Sequence, residues 1–135
     1  MINFTTTLSY GLRLLINLAL EKNKPKSLKK IAKEESISLP YLRKIVIPLE
    51  KAFIIKSLRG PGGGFILARK PSEIYISEVV PMLNRSRVLN CVRGSSSCNR
   101  YRNCIVKDLL EEVYNKIQLV FKKKTLTTIL KKKKK

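Results

Sequence analysis

The sequence contains no histidine and no tryptophan. Without His there is no Ser-His-Asp or Cys-His nucleophile, no imidazole general base and no imidazole metal ligand. Acid is scarce as well: nine Asp+Glu stand against 29 Lys+Arg, a formal net charge of +20. No paired-carboxylate constellation is visible, so an enzyme is the weakest class of reading and no small-molecule substrate is expected. No apolar run approaches the roughly 18 residues that a membrane span needs. The opening residues, Met1-Ile2-Asn3-Phe4-Thr5-Thr6-Thr7, lack a basic stretch followed by an apolar one. No signal peptide is therefore visible, and the expected location is the cytoplasm.

What is present bounds the rest. The chain has 135 residues, enough for one domain or one domain with an appended element. Its 44% hydrophobic content implies a core, so the charge sits outside it. A surface at this charge repels itself until a polyanion or salt neutralises it. Nucleic acid is the favoured counterpart, ahead of an anionic membrane. The lysines of 122–124 and 131–135 read as a solvated tail. Removing those eight leaves 21 bases against nine acids, still +12, so the body is basic in its own right.

Apolar spacing predicts a first helix over 5–22 with a threonine cap, its stripe being Leu8, Leu12, Leu15, Ile16 and Ala19. Ser27 can cap a short helix over 28–35, with Leu28, Ile31 and Ala32 inward. After a tight Ser36-Ile37 link, Ser38 can cap a third helix over 39–51. Its inner stripe is Leu39, Leu42, Ile45, Val46 and Leu49; its outer face carries Arg43, Lys44 and Lys51. Pro48 inside it predicts a kink or an early end. The period then changes. Strands over 53–58 and 65–68 flank the turn Arg59-Gly60-Pro61-Gly62-Gly63-Gly64, a hairpin with a Gly-rich tip. A helix over 77–85, capped by Ser77 and disturbed by Pro81, precedes a polar loop over 86–104. A long helix is expected over 105–123. Its stripe of Val106, Leu109, Leu110, Val113, Ile117, Val120 and Phe121 is too long for so small a domain to bury, which points to a partner helix. A short helical turn is expected at 125–130.

Two short helices, a basic third helix and a β-hairpin make a winged helix-turn-helix. The fold class expected is mainly α with a small β-hairpin wing. A helix about 10–12 Å wide fits the major groove of double-stranded DNA, where base edges are distinguishable. Ser38, Tyr41, Arg43 and Lys44 are the side chains expected toward DNA, with Arg43 suited to a bidentate contact to guanine. The tip residues Arg59, Gly60 and Gly62 suit close approach to the minor groove, where arginine is favoured. A phosphate-cradling nucleotide loop is excluded: no Lys-Ser or Lys-Thr follows the glycines, and a strand rather than a helix follows Gly64.

All three cysteines fall within 14 residues: Cys91, Cys98 and Cys104. An odd number argues against a disulfide framework. Arg87, Arg93, Arg100 and Arg102 lie among them and would stabilise thiolates. Three thiolates from one loop can hold an iron–sulfur cluster or zinc; redox thiols and no function at all are the other readings of the spacing.

The run from Leu58 to Ala68 resembles the wing signature of the Rrf-two family of bacterial transcription regulators, and Ser38-Leu39-Pro40-Tyr41-Leu42-Arg43-Lys44 resembles its recognition helix. Ser9-Tyr10-Gly11-Leu12-Arg13 is similar to the helix-one pattern, and the cysteine triplet to the loop of cluster-bearing members. The resemblance covers about residues 1–130. It implies a homodimer on a palindromic operator, with repression as the family-level expectation. It also implies a cluster, 4Fe–4S or 2Fe–2S, on Cys91, Cys98 and Cys104, sensing redox, nitric oxide or iron–sulfur status. The domain division expected is 1–85 for DNA binding, 86–104 for the cluster loop, 105–130 for the dimerisation helix and 131–135 for a basic tail. The departures concern the fourth ligand. Lys107 stands where relatives with a two-iron cluster often have His, and Ser9 where nitric-oxide sensors have Asp. The candidates for a fourth ligand are Asp108, Ser9, solvent or a small thiol, the two side chains being weak ones. Cys91 to Cys98 is one residue longer than the common spacing. Arg43 is basic where some relatives are acidic, which predicts a different operator. A zinc or thiol switch, or non-specific nucleic-acid binding, are the alternatives.

Overall fold

The structure is a computed structural model, and it describes residues 4–84 and 98–133. The described helices are α1 (Thr6–Leu20), α2 (Leu28–Glu35), α3 (Leu39–Lys51), α4 (Ile76–Leu83), α5 (Lys107–Lys122) and α6 (Leu126–Lys133). The strands β1 (Ile55–Leu58) and β2 (Gly64–Leu67) form one antiparallel pair, with Ile55 opposite Leu67 and Leu58 opposite Gly64. Single 3-10 turns occur at Pro71–Glu73 and Tyr101–Asn103.

The first three helices start where hydroxyl caps stand. Thr5 accepts from Leu8 N at 3.2 Å, Ser27 from Lys30 N at 3.2 Å and Ser38 from Tyr41 N at 3.4 Å. Each satisfies one of the N–H groups a helix start leaves without a partner. The link from α2 to α3 is made by Ser36, which takes a left-handed conformation (φ 54°), while Ile37 N–H bonds the Ala32 carbonyl at 3.0 Å. Ile37 drops into the core.

Several expectations are corrected. The buried face of α1 centres on Leu14, Leu15 and Leu18, with Leu12 and Ile16 only half-buried. Pro48 does not end α3 early. The helix reaches Lys51 because Leu42, Ile45, Val46 and Leu49 pin it to the core on both sides of the proline. The first strand begins at Ile55 instead of Phe53. Phe53 has φ 56° and closes α3: its N–H bonds the Glu50 carbonyl and that of Ile54 bonds the Leu49 carbonyl, both at 3.0 Å. This is a Schellman stop, with its usual apolar contact supplied by the fully buried Leu49 and Ile54. Helix α4 is capped at Tyr75 without a side-chain bond, so Ser77 lies inside the helix instead of capping it.

The core gathers α1, α2, α3, the base of the wing and α4. It also takes in α6. Leu126 is fully buried, Ile129 packs beside it, and the strand-like pairing of Tyr75 with Thr125 is bracketed by Ile76 N to Lys124 O at 2.9 Å and Leu126 N to Ile74 O at 3.1 Å. The turn expected at 125–130 is thus a helix of eight residues that includes Lys131–Lys133. The end of the chain is tied back to the segment that leads into α4.

Candidate nucleic-acid interface

Helix α3 buries one face against α1 and α2 and leaves the other open. The open face carries Pro40, Arg43, Lys44, Ile47 and Lys51, all exposed. Among the described residues neither Arg43 nor Lys44 forms an ion pair. Glu50, the acid at the C-terminal end, is turned aside: its carboxylate accepts from Ser57 Oγ at 2.9 Å, which ties the helix to β1. The open face therefore presents positive charge with no carboxylate of its own.

Tyr41 is placed differently from Arg43 and Lys44. It is half-buried, its hydroxyl lies 2.5 Å from Thr7 Oγ1, and its ring meets Tyr10 edge-on at 5.4 Å. It locks the start of α3 onto α1. Ser38 is exposed, and its Oγ caps the same helix start. The two together fix the head of α3 against α1. Ile47 carries no signal in a search for polar contacts. It stands out only because it is apolar, off the buried stripe, and one turn from Arg43.

The wing tip turns through Gly60-Pro61-Gly62-Gly63, closed by Gly63 N to Gly60 O at 2.9 Å. Proline at the second position and a positive-φ glycine at the third (Gly62, φ 75°) are the pattern of a type II turn. Arg59, Gly60, Pro61 and Gly62 are exposed, and nothing lies within 4 Å of where a Cβ would stand on Gly60 or Gly62. The backbone there is open to another molecule. The base of the wing is clamped. Phe65 N and O pair with Lys26 O and N at 2.9 and 3.0 Å, and a Cβ on Gly64 would come within 2.5 Å of the Lys26 backbone.

Lys26 is also the centre of the charge network that consumes much of the scarce acid. Its side chain, 5% exposed, donates from Nζ to Glu21 Oε1 at 2.7 Å and to Glu34 Oε2. Asn17 Nδ2 donates to Glu34 and Glu35, and Arg13 pairs with Glu35 at 2.9 Å. Burial works to lower the Lys26 pKa, but the two carboxylates outweigh it and hold it above its ordinary value. Hydrogen bonding from Lys26 holds Glu21 and Glu34 below the usual carboxylate value. Three of the nine acids thus lie in this network between α1 and α2, away from the α3 face and the wing tip.

Of the cysteines, Cys98 is exposed and Cys104 half-buried, and both are free thiols. Cys91 lies outside the described residues, as do Arg87 and Arg93. Asp108 is exposed in the first turn of α5, and Ser9 is exposed on α1. Lys107 places its ammonium 4.5 Å from the Tyr101 ring centroid. Among the described residues no three of His, Cys, Asp and Glu come together, so Asp108 does not complete a set with Cys98 and Cys104. The thiols of Cys98 and Cys104 have the soft-donor chemistry that a cluster or zinc requires, and such a group would need further ligands beyond these two.

Helix α5 has two apolar faces. Leu110, Tyr114, Ile117 and Phe121 are half-covered, on a helix that packs against α4. Val106, Leu109, Val113 and Val120 are exposed.

The Rrf2 family model, described as an iron-dependent transcriptional regulator, matches residues 4–132. The chain is a member of the Rrf2 family. A helix-turn-helix transcriptional regulator of Aquifex aeolicus, itself assigned that role by inference, is 31% identical over 130 residues, covering 94% of this chain and 90% of that one. IscR of Aliivibrio salmonicida is 30% identical over 109 residues, 80% of this chain, which spans 65% of that relative. In three dimensions this Rrf2 chain superposes on IscR of T. potens with a TM-score of 0.80 at 31% identity, covering 97% of this chain and 88% of that one. The winged helix-turn-helix expected from the sequence is the fold observed. This Rrf2 protein is a DNA-binding transcription regulator and not an enzyme. No described helix is long and apolar enough to cross a membrane.

Proposed function

We propose that this Rrf2 regulator acts in the cytoplasm as a homodimer that occupies a palindromic operator and represses from it. The observation that carries the reading is the pairing of two surfaces on one chain: the acid-free basic face of α3 beside an open wing, and the uncovered apolar stripe of α5. Arg43 reaches base edges in the major groove and Lys44 the phosphates along it, and Ser38 and Tyr41 set the angle of α3 and offer polar contacts to the flanking phosphate. Arg59, Gly60 and Gly62 bring the wing backbone against the minor groove. The α5 stripe packs on its two-fold mate, so the two recognition helices face successive turns of the duplex.

We further propose that an iron–sulfur cluster on Cys91, Cys98 and Cys104 sets operator affinity. When bound, such a group supplies a site that reacts with oxidants, nitric oxide or iron shortage. Cys98 and Cys104, at the approach to α5, would hold it together with Cys91. The coupling requires two states that differ in DNA affinity. The free, accessible Cys98 also fits a zinc site or a thiol switch. The test is protein purified without oxygen, with a visible spectrum, iron, sulfide and zinc contents, and operator affinity before and after iron removal. A coloured protein with equimolar iron and sulfide, and an affinity that changes on removal, is the expected result. A colourless, iron-free protein after reconstitution moves the cysteines to zinc or thiol chemistry. An unchanged affinity removes the sensing role. A specificity ratio near one between palindromic and random duplex would leave only non-specific binding.

A further inference from the structure

Beyond Pro40 at its head, the open face of α3 carries one apolar side chain among its cations. Ile47 is 53% exposed, while Leu42, Ile45, Val46 and Leu49 of the same helix are buried. Single exposed apolar residues are ordinary on a protein surface. The place of this one is what matters. It lies four residues after Arg43 and three after Lys44, so all three project on one side of α3. Pro40 and Lys51 flank it, and the only carboxylate of the helix is held at Ser57 on β1. A duplex drawn onto this face by the cations brings its base edges against a branched hydrocarbon. The apolar group that the major groove offers is the C5 methyl of thymine.

We propose that Ile47 is a specificity-determining residue that reads a thymine methyl in each half-site. The inference rests on the reading of α3 as the helix in the major groove. The side chain cannot accept or donate a hydrogen bond, so it discriminates by excluding water from the methyl. Cytosine bears only a hydrogen at C5 and gives Ile47 no methyl to cover, and its N4 amino group on the neighbouring carbon finds no acceptor in that side chain. The position is thus selective for A·T over G·C pairs without any polar contact.

The experiment selects duplexes from a random pool with the full chain, then replaces each thymine of the selected site by deoxyuridine, which removes only the methyl. Wild type and Ile47→Ala are compared; the substitution is on an exposed helix face and leaves the core intact. At one thymine per half-site the wild type is expected to lose about fourfold in Kd per methyl removed. The Ile47→Ala protein is expected to bind thymine and deoxyuridine duplexes alike. An equal deoxyuridine penalty in both proteins overturns the proposal, and so does insensitivity of the wild type at every thymine. If no duplex is enriched over random DNA, the groove reading of α3 fails and this inference fails with it; enrichment without methyl sensitivity sinks the inference alone.

Discussion

At the scale of single residues, position on the fold separates cations of the same chemistry. Arg43 stands on the open face of α3, whereas Lys26 is buried between two carboxylates. Replacing Arg43 by Ala is expected to weaken operator binding by about 1–3 kcal/mol and to relax the base preference at one position per half-site, read by anisotropy titration against single-base variants. Lys44→Ala should lower affinity on all sequences and reduce the salt slope by about one, the mark of a phosphate contact. Lys26 governs stability instead. Glu21 and Glu34 are held below their ordinary value of 4.5, so their contribution is present above that pH and is lost as pH falls through their lowered values. Lys26 is held above its ordinary 10.5, so its contribution is present below that pH and fades as pH rises past its raised value. The network is complete between those limits. A Glu21→Gln, Glu34→Gln double variant should therefore show a flatter acid limb in a plot of Tm against pH than the wild type does. Identical acid limbs would show that the network does not couple folding to protons.

At the scale of elements, two joints around the wing are decided by backbone conformation. Phe53 takes the left-handed position of the Schellman stop, where glycine is usual, and its ring is 77% exposed. Phe53→Gly is expected to stabilise the protein by about 1 kcal/mol, since it relieves the Cβ clash and gives up little buried area. A lowered denaturation midpoint would mean that the ring packs on something in solution. Gly64 is the opposite case. Any Cβ there meets the Lys26 and Ser27 backbone, so Gly64→Ala should push the wing off the α1–α2 connection and cost about 1–3 kcal/mol, with loss of the paired Lys26–Phe65 amides from slow hydrogen exchange. Gly62, whose would-be Cβ points into open space, should tolerate Ala at the smaller cost of its positive φ alone, roughly 1 kcal/mol.

At the scale of the whole molecule, the uncovered face of α5 is the feature that a single copy does not satisfy. Leu109, Val113 and Val120 are exposed together on this helix, with Val106 exposed at its N-cap. If the proposed dimer forms through this face, a Leu109→Glu, Val113→Glu double variant should be a monomer in sedimentation velocity where the wild type is a dimer, and operator affinity should fall to that of one half-site. A variant that remains dimeric would place the interface elsewhere. Because α6 is sewn to the segment before α4, α5 is anchored at its C-terminal end to the DNA-binding core. A shift at the cysteine end of α5 therefore has a fixed point to work against.

Much of this was legible in the residues alone. Helices α2 and α3 run as their caps and apolar spacing predict, because Ser27 and Ser38 satisfy helix-start N–H groups locally and need no distant partner. The Gly-Pro-Gly-Gly tip requires positive φ at fixed places, so the hairpin was equally plain. Tertiary structure decided what depends on distant chain. Pro48 is tolerated because core burial on both sides holds α3 through it. The turn at 125–130 became a longer helix because Leu126 finds a slot in a core built some fifty residues earlier in sequence, beside Ile74. Tyr41, an expected DNA contact, has its hydroxyl at Thr7, and Ile47 is left facing outward with the cations. Local hydrogen bonding and backbone strain act within a few residues and are written in the sequence. Burial depends on which surfaces meet, and that follows only once the chain has folded.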